Sequence, residues 1–455
     1  MIESLSRFGG KISSTRQDGF LVEGGPDSFL TQKTAALELC RDLGLEDQLL
    51  GMQTHGASIW NNGELQQIPD GMLSLAPTKV MPFLQSPLIS WQGKLRIGLD
   101  LFISPRTDGY DESLGEFVRR RLGAEALHKI ADPILAGIHA ADPEKLSVKS
   151  AFPSLLEMER RHSGLLRAAL ARNGAQASTK SGEATALAGS AHPPLLTLRR
   201  GLQQMVDALL AHLDPADLKL ERHILSITRE QGRYEVLFHG HAPILADAIL
   251  FATPADVTAR LLERIDLDLS SQLRGIRYVS SATVSLGFRR AETNGSLRGS
   301  GFMVPHSESR RILGCTWSSN KFGDRAPQDY VLARVFIGGA RAEHLAEQDD
   351  AALTQLACEE LQATAGICAT PVMAQVYRWH KAIPQYEVGH YDRIAGILHA
   401  LARHRGLHLA GSAYHGTGIP DCIASGKRGA RMILADITNP LPEAHPSFSF
   451  VREGA

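Results

Sequence analysis

Apolar positions change period along the chain, and the changes mark its elements. Short extended pieces run from Met1 to about Leu50 and enclose one amphipathic helix. Within TQKTAALELCRDLGLEDQLL, Ala36, Leu39, Cys40 and Leu43 recur at i, i+3, i+4 and i+7, and Gly44 stands where a helix C-cap belongs. GASIWNNGELQQIPDG alternates around Asn61, Asn62 and Gly63, which predicts a hairpin with a Pro-marked exit. From about Leu73 to Arg172 the pattern is mostly helical, with helix starts at Asp111 and Ser113 ahead of EFVRRRLG. Asn173 to His192 is small, polar and aperiodic and predicts a flexible segment. Beyond it, PPLLTLRRGLQQMVDALLAHL reads as strand, turn at Gly201 and helix. LERHILSITREQGRYEVLFHG, ADAILFATPA, YVSSATVSLGF, RRILGCTW and YVLARVFIGG read as strands. GLHLAGSAYHGTGIPDCIASGKRGARMILADI closes with strand, Gly-rich loop and helix. These elements predict an α+β chain whose parallel α/β component is split across its length.

Composition narrows the class. A length of 455 residues exceeds one compact core and predicts two or three domains. Lys and Arg total 48 against 49 Asp and Glu, so a net charge of −1 supplies no basic field for nucleic acid. No run approaches the roughly 20 apolar residues of a spanning helix, and MIESLSRFGG has no signal-peptide core. A soluble, intracellular protein, at most seated on a membrane surface, is expected. Five scattered cysteines without a C-x-x-C pair suit a reducing compartment and offer no zinc or iron–sulfur site.

Candidate chemistry gathers at the two ends. Leu407, Leu409 and Ala410 end a strand, Gly411, Gly416 and Gly418 allow close backbone approach, and Pro420 suits a first helical turn. The helix N-terminus there favours an anion or a polarised carbonyl, although a Gly-rich turn that only caps a buried helix has the same signature. Ile419, Cys422, Ile423, Gly426 and Ala430 form its small, apolar face. At the start, Glu3, Arg7, Gly9, Gly10, Lys11 and Ser14 are spaced as an acidic ribose ligand followed by a pyrophosphate-side turn, in which Arg7 or Lys11 offsets charge. A surface carboxylate in a frayed terminus is the alternative for Glu3. GGPDSF, from Gly24 to Phe29, is a second tight loop. His239 and His241 read as water-facing, no H-E-x-x-H or G-x-S-x-G occurs, and Arg119 to Arg121 read as a solvated helix face, with anionic lipid as the lesser alternative.

Taken in order, GFLVEGGPDSFL, LTLRRGLQQMVDAL, RWHKAIPQYEVGH and LAGSAYHGTGIPDCIASGK resemble the oxygen-dependent protoporphyrinogen/coproporphyrinogen oxidases of heme biosynthesis, and the resemblance covers essentially the whole chain. It implies a discontinuous FAD-binding Rossmann-like domain at 1–53, 217–258 and 399–455. It further implies a mixed-sheet substrate domain at 54–68, 195–216 and 259–398, and a helical domain at 69–194 of the kind that relatives set on a membrane surface. For FAD it implies Glu3, Arg7, Gly9, Gly10 and Lys11, the loop Gly25, Pro26, Asp27 and Ser28 along the flavin, Ile224 near the adenine, and Thr417, Gly418 and Ile419 under the pyrimidine end. For the porphyrinogen it implies Met303, Leu313 and Phe336 as apolar contacts and a Gly137 carbonyl. Each of the apolar three also reads as ordinary strand core.

The implied reaction takes six electrons from a porphyrinogen, with FAD as acceptor, O2 as oxidant and H2O2 as product, and needs no catalytic side chain and no metal. A cytoplasmic place, a homodimer, peripheral contact with the inner face of the cell membrane and handover to other heme-pathway enzymes accompany it as expectations. Asn61 and Asn62 stand where many relatives carry a basic residue for a propionate, which leaves an Asn hydrogen bond, or Lys79 or Arg96, for that task. The G-x-G-x-x-G strand and helix, about 30 residues ahead of Glu3 in the resemblance, are not in the chain. Either Met1 is an internal methionine of a longer protein, which the intact downstream motifs favour, or the chain is a degenerate, non-enzymatic relative that does not hold FAD. A flavin amine oxidase or carotenoid desaturase is a further alternative, opposed by GIPDCIASG and AIPQYEVGH.

Overall fold

The longest alternating segments become the centre of the largest sheet. In the computed structural model, which describes residues 1–438 apart from 55, 70–71, 74–75, 78–79, 179–192, 294 and 296, a seven-stranded sheet runs in the order Met373–Pro384, Tyr278–Arg289, Tyr330–Gly338, Gly314–Trp317, Gly301–Met303, Ser58–Asn61 and Glu64–Gln67. The sheet is mixed, because Gly301–Met303 lies parallel to Ser58–Asn61 while its other neighbours are antiparallel. One face carries Ala282, Val284, Leu286, Val335 and Ile337, buried against Leu353, Leu356 and Leu361 of the helix Asp350–Ala365. The other face presents Thr283, Ser285, Arg334 and Phe336. The hairpin at its edge turns through Asn62 and Gly63, both at positive φ (52° and 85°), as a two-residue turn that follows the strand twist requires.

A second layer is helical. Ser113 caps Leu114–Arg121 in a reciprocal box with Glu116, and Leu114, Phe117, Val118, Leu127, Ile130, Leu135 and Leu155 share one core. Here two expectations are corrected. Arg119 to Arg121 are not a uniformly solvated face: Arg119 is exposed, but Arg121 is fully buried. Its Nε donates to Asp100 Oδ1 at 2.6 Å, its Nη1 reaches Glu159 Oε1 at 3.3 Å, and its Nη2 donates to the carbonyls of Asp100 and Ser163. A charge triplet shows nothing in sequence of the carboxylates that tertiary packing brings to it. The predicted flexible segment also begins too early, since the helix Leu165–Ser178 takes its first six positions, 173–178. The alanines there favour helix over the loop that Asn173 and Gly174 suggest. The remainder, 179–192, lies outside the described residues.

The parallel component is split along the chain as expected. Ile249–Phe251 pairs in parallel with Leu407–Leu409, and the helix Ile419–Thr438 lies against this pair so closely that a Cβ on Gly429 would stand 2.5 Å from Leu250 Cδ1. The packing face is therefore shifted from the predicted one: Gly429 and Ser425 are buried, Ala430 is exposed, and Gly426 has open space beside it. The terminus is tied down by a parallel bridge between Ile2 and Lys219. Leu195–Leu198 pairs with Phe29–Leu30 and Leu49–Gly51 rather than with the large sheet. Leu196 and Leu198, with Leu202 and Met205 beyond the strand, share a core with Phe29, Ala36 and Cys40, while Arg325 donates to Thr197 Oγ1 and Leu198 O and Arg199 pairs with Asp324. Among the described residues no helix is long and apolar enough to cross a membrane.

Removing one partner of the buried Arg121 cluster strands a charge in the helical core. Asp100→Ala, which deletes the acceptor for Arg121 Nε and for the Leu166 N–H, is expected to lower the unfolding free energy by about 3–5 kcal/mol, read by denaturant titration.

Candidate functional site

Three of the segments singled out in the sequence meet at Lys11. Gly9 and Gly10, both at positive φ (108° and 55°), turn the chain so that the Lys11 side chain points inward. Arg7 locks that turn by donating to the carbonyls of Phe8, Gly10 and Ile12. Lys11 Nζ donates to Ala382 O at 2.7 Å and to Ser412 Oγ at 3.2 Å, joining the turn to the last strand of the sheet and to the C-terminal Gly-rich loop. Burial holds the ammonium below its ordinary value. Tyr386 makes the same junction from the other side: its OH donates to Ser412 O at 2.7 Å and accepts from Gly416 N at 2.8 Å. Its ring stacks on His390 at 4.2 Å, and burial pushes His390 down to about 4.

The Gly24–Ser28 loop crosses this junction at closest approach. A Cβ on Gly25 would lie 1.8 Å from Lys11 O, so only glycine fits. The loop is pinned from the sheet: Arg334 Nη2 donates to Gly24 O (3.0 Å) and Gly25 O (2.6 Å), and Trp379 Nε1 donates to Gly24 O (2.8 Å). Lys321 Nζ holds both Asp27 oxygens at 3.0 and 2.9 Å. Burial would raise the Asp27 carboxyl, but the charges of Lys321 and Arg334 overcome it and hold the group well below the usual carboxylate range.

Strand register then carries the loop toward the predicted substrate positions. Tyr377, Thr283, Phe336, Gly314, Met303 and Ile59 stand opposite one another in successive strands, a single row across the sheet. At one end the Tyr377 ring abuts Gly24. At the other, Met303 faces Gly137 on the helix Asp132–His139, where a Cβ would stand 3.5 Å from Met303 Cγ and Sδ. Leu313 closes the same end, its Cδ1 3.3 Å from a Cβ built on Gly339, which also touches Ala140 at the end of that helix. Phe336 lies midway, with the Arg334 guanidinium 5.0 Å from its ring centre. Nearby His139 is pushed down to about 4, by burial and then by Lys33, and so is uncharged near neutrality.

The remaining candidates are distributed as follows. Glu3 accepts from Leu5 N through its side chain and from Arg222 N through its carbonyl, which sets it at the same end of the molecule as Ile224. Thr417, Gly418 and Ile419 open the C-terminal helix, where Asp421 accepts from Gly418 N at 3.3 Å and pairs with Lys33. Asn61 is buried on the Met303 face, where strand alternation turns it inward, and its amide donates to Gln66 Oε1 at 3.0 Å. Arg96 is engaged with the carbonyls of Arg119, Arg120 and Arg121, capping that helix rather than facing the row. Lys79 lies outside the described residues. Arg334, Lys321, Trp379, Tyr377 and Tyr386 were missed. The one sequence signal was a lone Arg inside the apolar run YVLARVFIGG, where an unpaired cation is out of place.

A glycine-lined cradle, with no heavy atom within 4 Å of a Cβ built on Gly10 or Gly411, a half-buried lysine and a helix N-terminus fit a dinucleotide cofactor. Residues 2–434 match the flavin containing amine oxidoreductase family, and the chain belongs to it as a flavin-dependent oxidoreductase. Within that class the chain is 34% identical over 458 residues to coproporphyrinogen III oxidase of Propionibacterium freudenreichii subsp. freudenreichii, covering 95% of this chain and 86% of that protein. It is 32% identical over 428 residues to coproporphyrinogen III oxidase of Bacillus subtilis (strain 168), covering 94% and 89%. A solved structure from Exiguobacterium sp. 255-15 that carries the provisional name protoporphyrinogen oxidase superposes with a TM-score of 0.83 at 30% identity, covering 96% of this chain and 92% of that one.

Gly25→Ala forces the loop away from Lys11. An overpacking cost of about 1–3 kcal/mol translates into roughly ten- to hundredfold weaker flavin retention, read from visible absorbance after gel filtration. Gly426→Ala, with nothing within 4 Å of the new methyl, is expected to retain flavin like the parent.

Proposed function

We propose that the chain is an FAD-dependent porphyrinogen oxidase of heme biosynthesis, removing six electrons from coproporphyrinogen III or protoporphyrinogen IX with O2 as oxidant and H2O2 as product. The observation that carries this reading is the row from Tyr377 through Phe336 to Met303. It joins the Gly24–Gly25 loop to an apolar surface bounded by Leu313 and Gly137. A flat, hydrophobic tetrapyrrole needs such a surface beside the electron acceptor and little else, since loss of electrons and protons yields an aromatic ring. Bound FAD supplies the two-electron acceptor. Glu3 and Ile224 hold the adenosine end, and Lys11, with the turn that Arg7 locks, holds the pyrophosphate end. The Gly25–Ser28 loop and the start of the C-terminal helix hold the ring system. The chain's own contribution to the chemistry is to orient the substrate against Phe336 and Met303. The names of the two relatives compared above favour coproporphyrinogen III of the two substrates.

Fluorescence-monitored oxidation of both porphyrinogens by the flavin-loaded protein tests the reading. Porphyrin formation from either supports it, and oxidation of an amine with neither porphyrinogen consumed overturns it.

Peripheral membrane contact is a second part of the proposal, and it rests on one specific observation. Trp91, Leu95, Leu99 and Phe102 are 66%, 73%, 52% and 80% exposed and fall on one face of the continuous helical stretch that begins at Trp91. Such an uncovered aromatic and aliphatic row suits the headgroup boundary of a bilayer. Flotation with anionic phosphatidylglycerol vesicles is expected to carry the parent upward and to leave Trp91→Ser/Leu95→Ser/Phe102→Ser behind with its oxidase activity intact; equal flotation of the two removes this part of the proposal.

A further inference from the structure

Of the fully buried cations near the site, one makes no direct ion pair among the described residues, and half-buried Lys11 likewise meets only neutral acceptors there. Lys321 has Asp27, and Arg325 has Glu23 at 4.0 Å. Arg334 is 4% exposed and has no carboxylate within 4.0 Å among the described residues; Asp27 acts on it from farther away and is itself gripped by Lys321. Its described hydrogen bonds leave from Nη2 and end on neutral carbonyls, Gly24 O and Gly25 O, while its Nε–H is buried with no partner. A guanidinium held this way gives up much of its solvation, and the orphaned N–H adds to that loss. Packing does not require it, because the neighbouring strand positions Ser285 and Thr316 are small, neutral polar residues. The missing complement is an electron-rich group that arrives with the bound molecules. The loop Arg334 holds is the one assigned to the flavin, and Phe336, two residues on along the same face, is assigned to the substrate.

We propose that Arg334 is an electrostatic positioning residue that raises the electron affinity of the bound flavin, its fixed positive charge meeting the negative charge that accompanies reduction. The inference deepens the flavin-site reading above and rests on it. A charge fixed by the fold needs no reorganisation when electrons arrive, and it acts more strongly the lower the effective dielectric around it.

The test is a potentiometric titration of the flavin-loaded parent, Arg334→Lys and Arg334→Gln without porphyrinogen. Both variants keep a side-chain N–H donor on the same strand position and differ in charge. Arg334→Gln is expected to make two-electron reduction about tenfold less favourable, about 30 mV lower, while Arg334→Lys stays near the parent. If Arg334→Gln sheds its flavin, titration of oxidised and of reduced FAD into the apoprotein reads the same quantity. A tenfold loss of preference for the reduced form supports the inference, and equal weakening of both forms overturns it. An unchanged potential with a raised KM for the porphyrinogen also overturns it, placing the charge on a substrate carboxylate instead. Because the potential is read without substrate, failure to oxidise either porphyrinogen leaves the inference standing. A parent that takes up no flavin sinks both.

Discussion

The approach of Gly25 to the Lys11 carbonyl is the contact on which the site depends. No side chain fits between them, since even a Cβ would stand 1.8 Å from the oxygen. Two backbones brought that close place the Gly24 and Gly25 carbonyls where Arg334 and Trp379 reach them from the sheet. They also let the Lys11 side chain span from the N-terminal turn to Ala382 and Ser412. Segments separated by some 370 residues are thereby fixed with respect to one another by a handful of bonds, nearly all of them to backbone atoms. Backbone acceptors do not titrate and do not change with rotamer, so the acceptor side of the junction is fixed by the chain itself.

The large sheet serves this junction by having unequal faces. Its Val284, Leu286, Val335 and Ile337 face is committed to the helix Asp350–Ala365 and anchors the strands. That leaves the opposite face free to carry groups that would be costly in a core, among them Arg334, Thr283 and Ser285. Because side chains alternate at each residue, a one-residue slip of Tyr330–Gly338 against Tyr278–Arg289 would exchange the two sets, driving Arg334 into the apolar layer. The core therefore specifies the register, and the register places Phe336 between Tyr377 and Met303.

Periodicity made the elements legible, and the loops less so. The first helix, the Asn62–Gly63 hairpin and the C-terminal strand, loop and helix follow from local spacing, because hydrogen bonding and turn chemistry act within a few residues. What eluded sequence reading was set by partners distant along the chain. Arg121 reads as one more basic residue until Asp100 and Glu159 surround it. Gly426 and Gly429 are equivalent in composition, and only the approach of Leu250 separates them. At the site, the glycines and Lys11 were readable since glycine marks close approach, whereas Arg334 and Tyr386 act by pinning and are recognisable only from what they touch.

The distribution of charge around the loop explains why electrons are drawn to it. Asp27 is held ionised, but it is spent on Lys321, which takes both of its oxygens. Glu23 is the other nearby carboxyl, and burial raises it more than Ser14 and Arg325 lower it, so it is a weakened anion. Lys11 and Arg334 are thus left with carbonyls and hydroxyls as partners, neutral groups that orient a cation without cancelling it. Beside the glycine loop and Phe336, direct ion pairs therefore leave Lys11 and Arg334 as cations that no carboxylate among the described residues touches. A donor that becomes aromatic on oxidation needs no base strong enough to force the reaction. It needs an acceptor whose reduced state is favoured, and fixed cations set beside the loop favour it from the moment the chain folds.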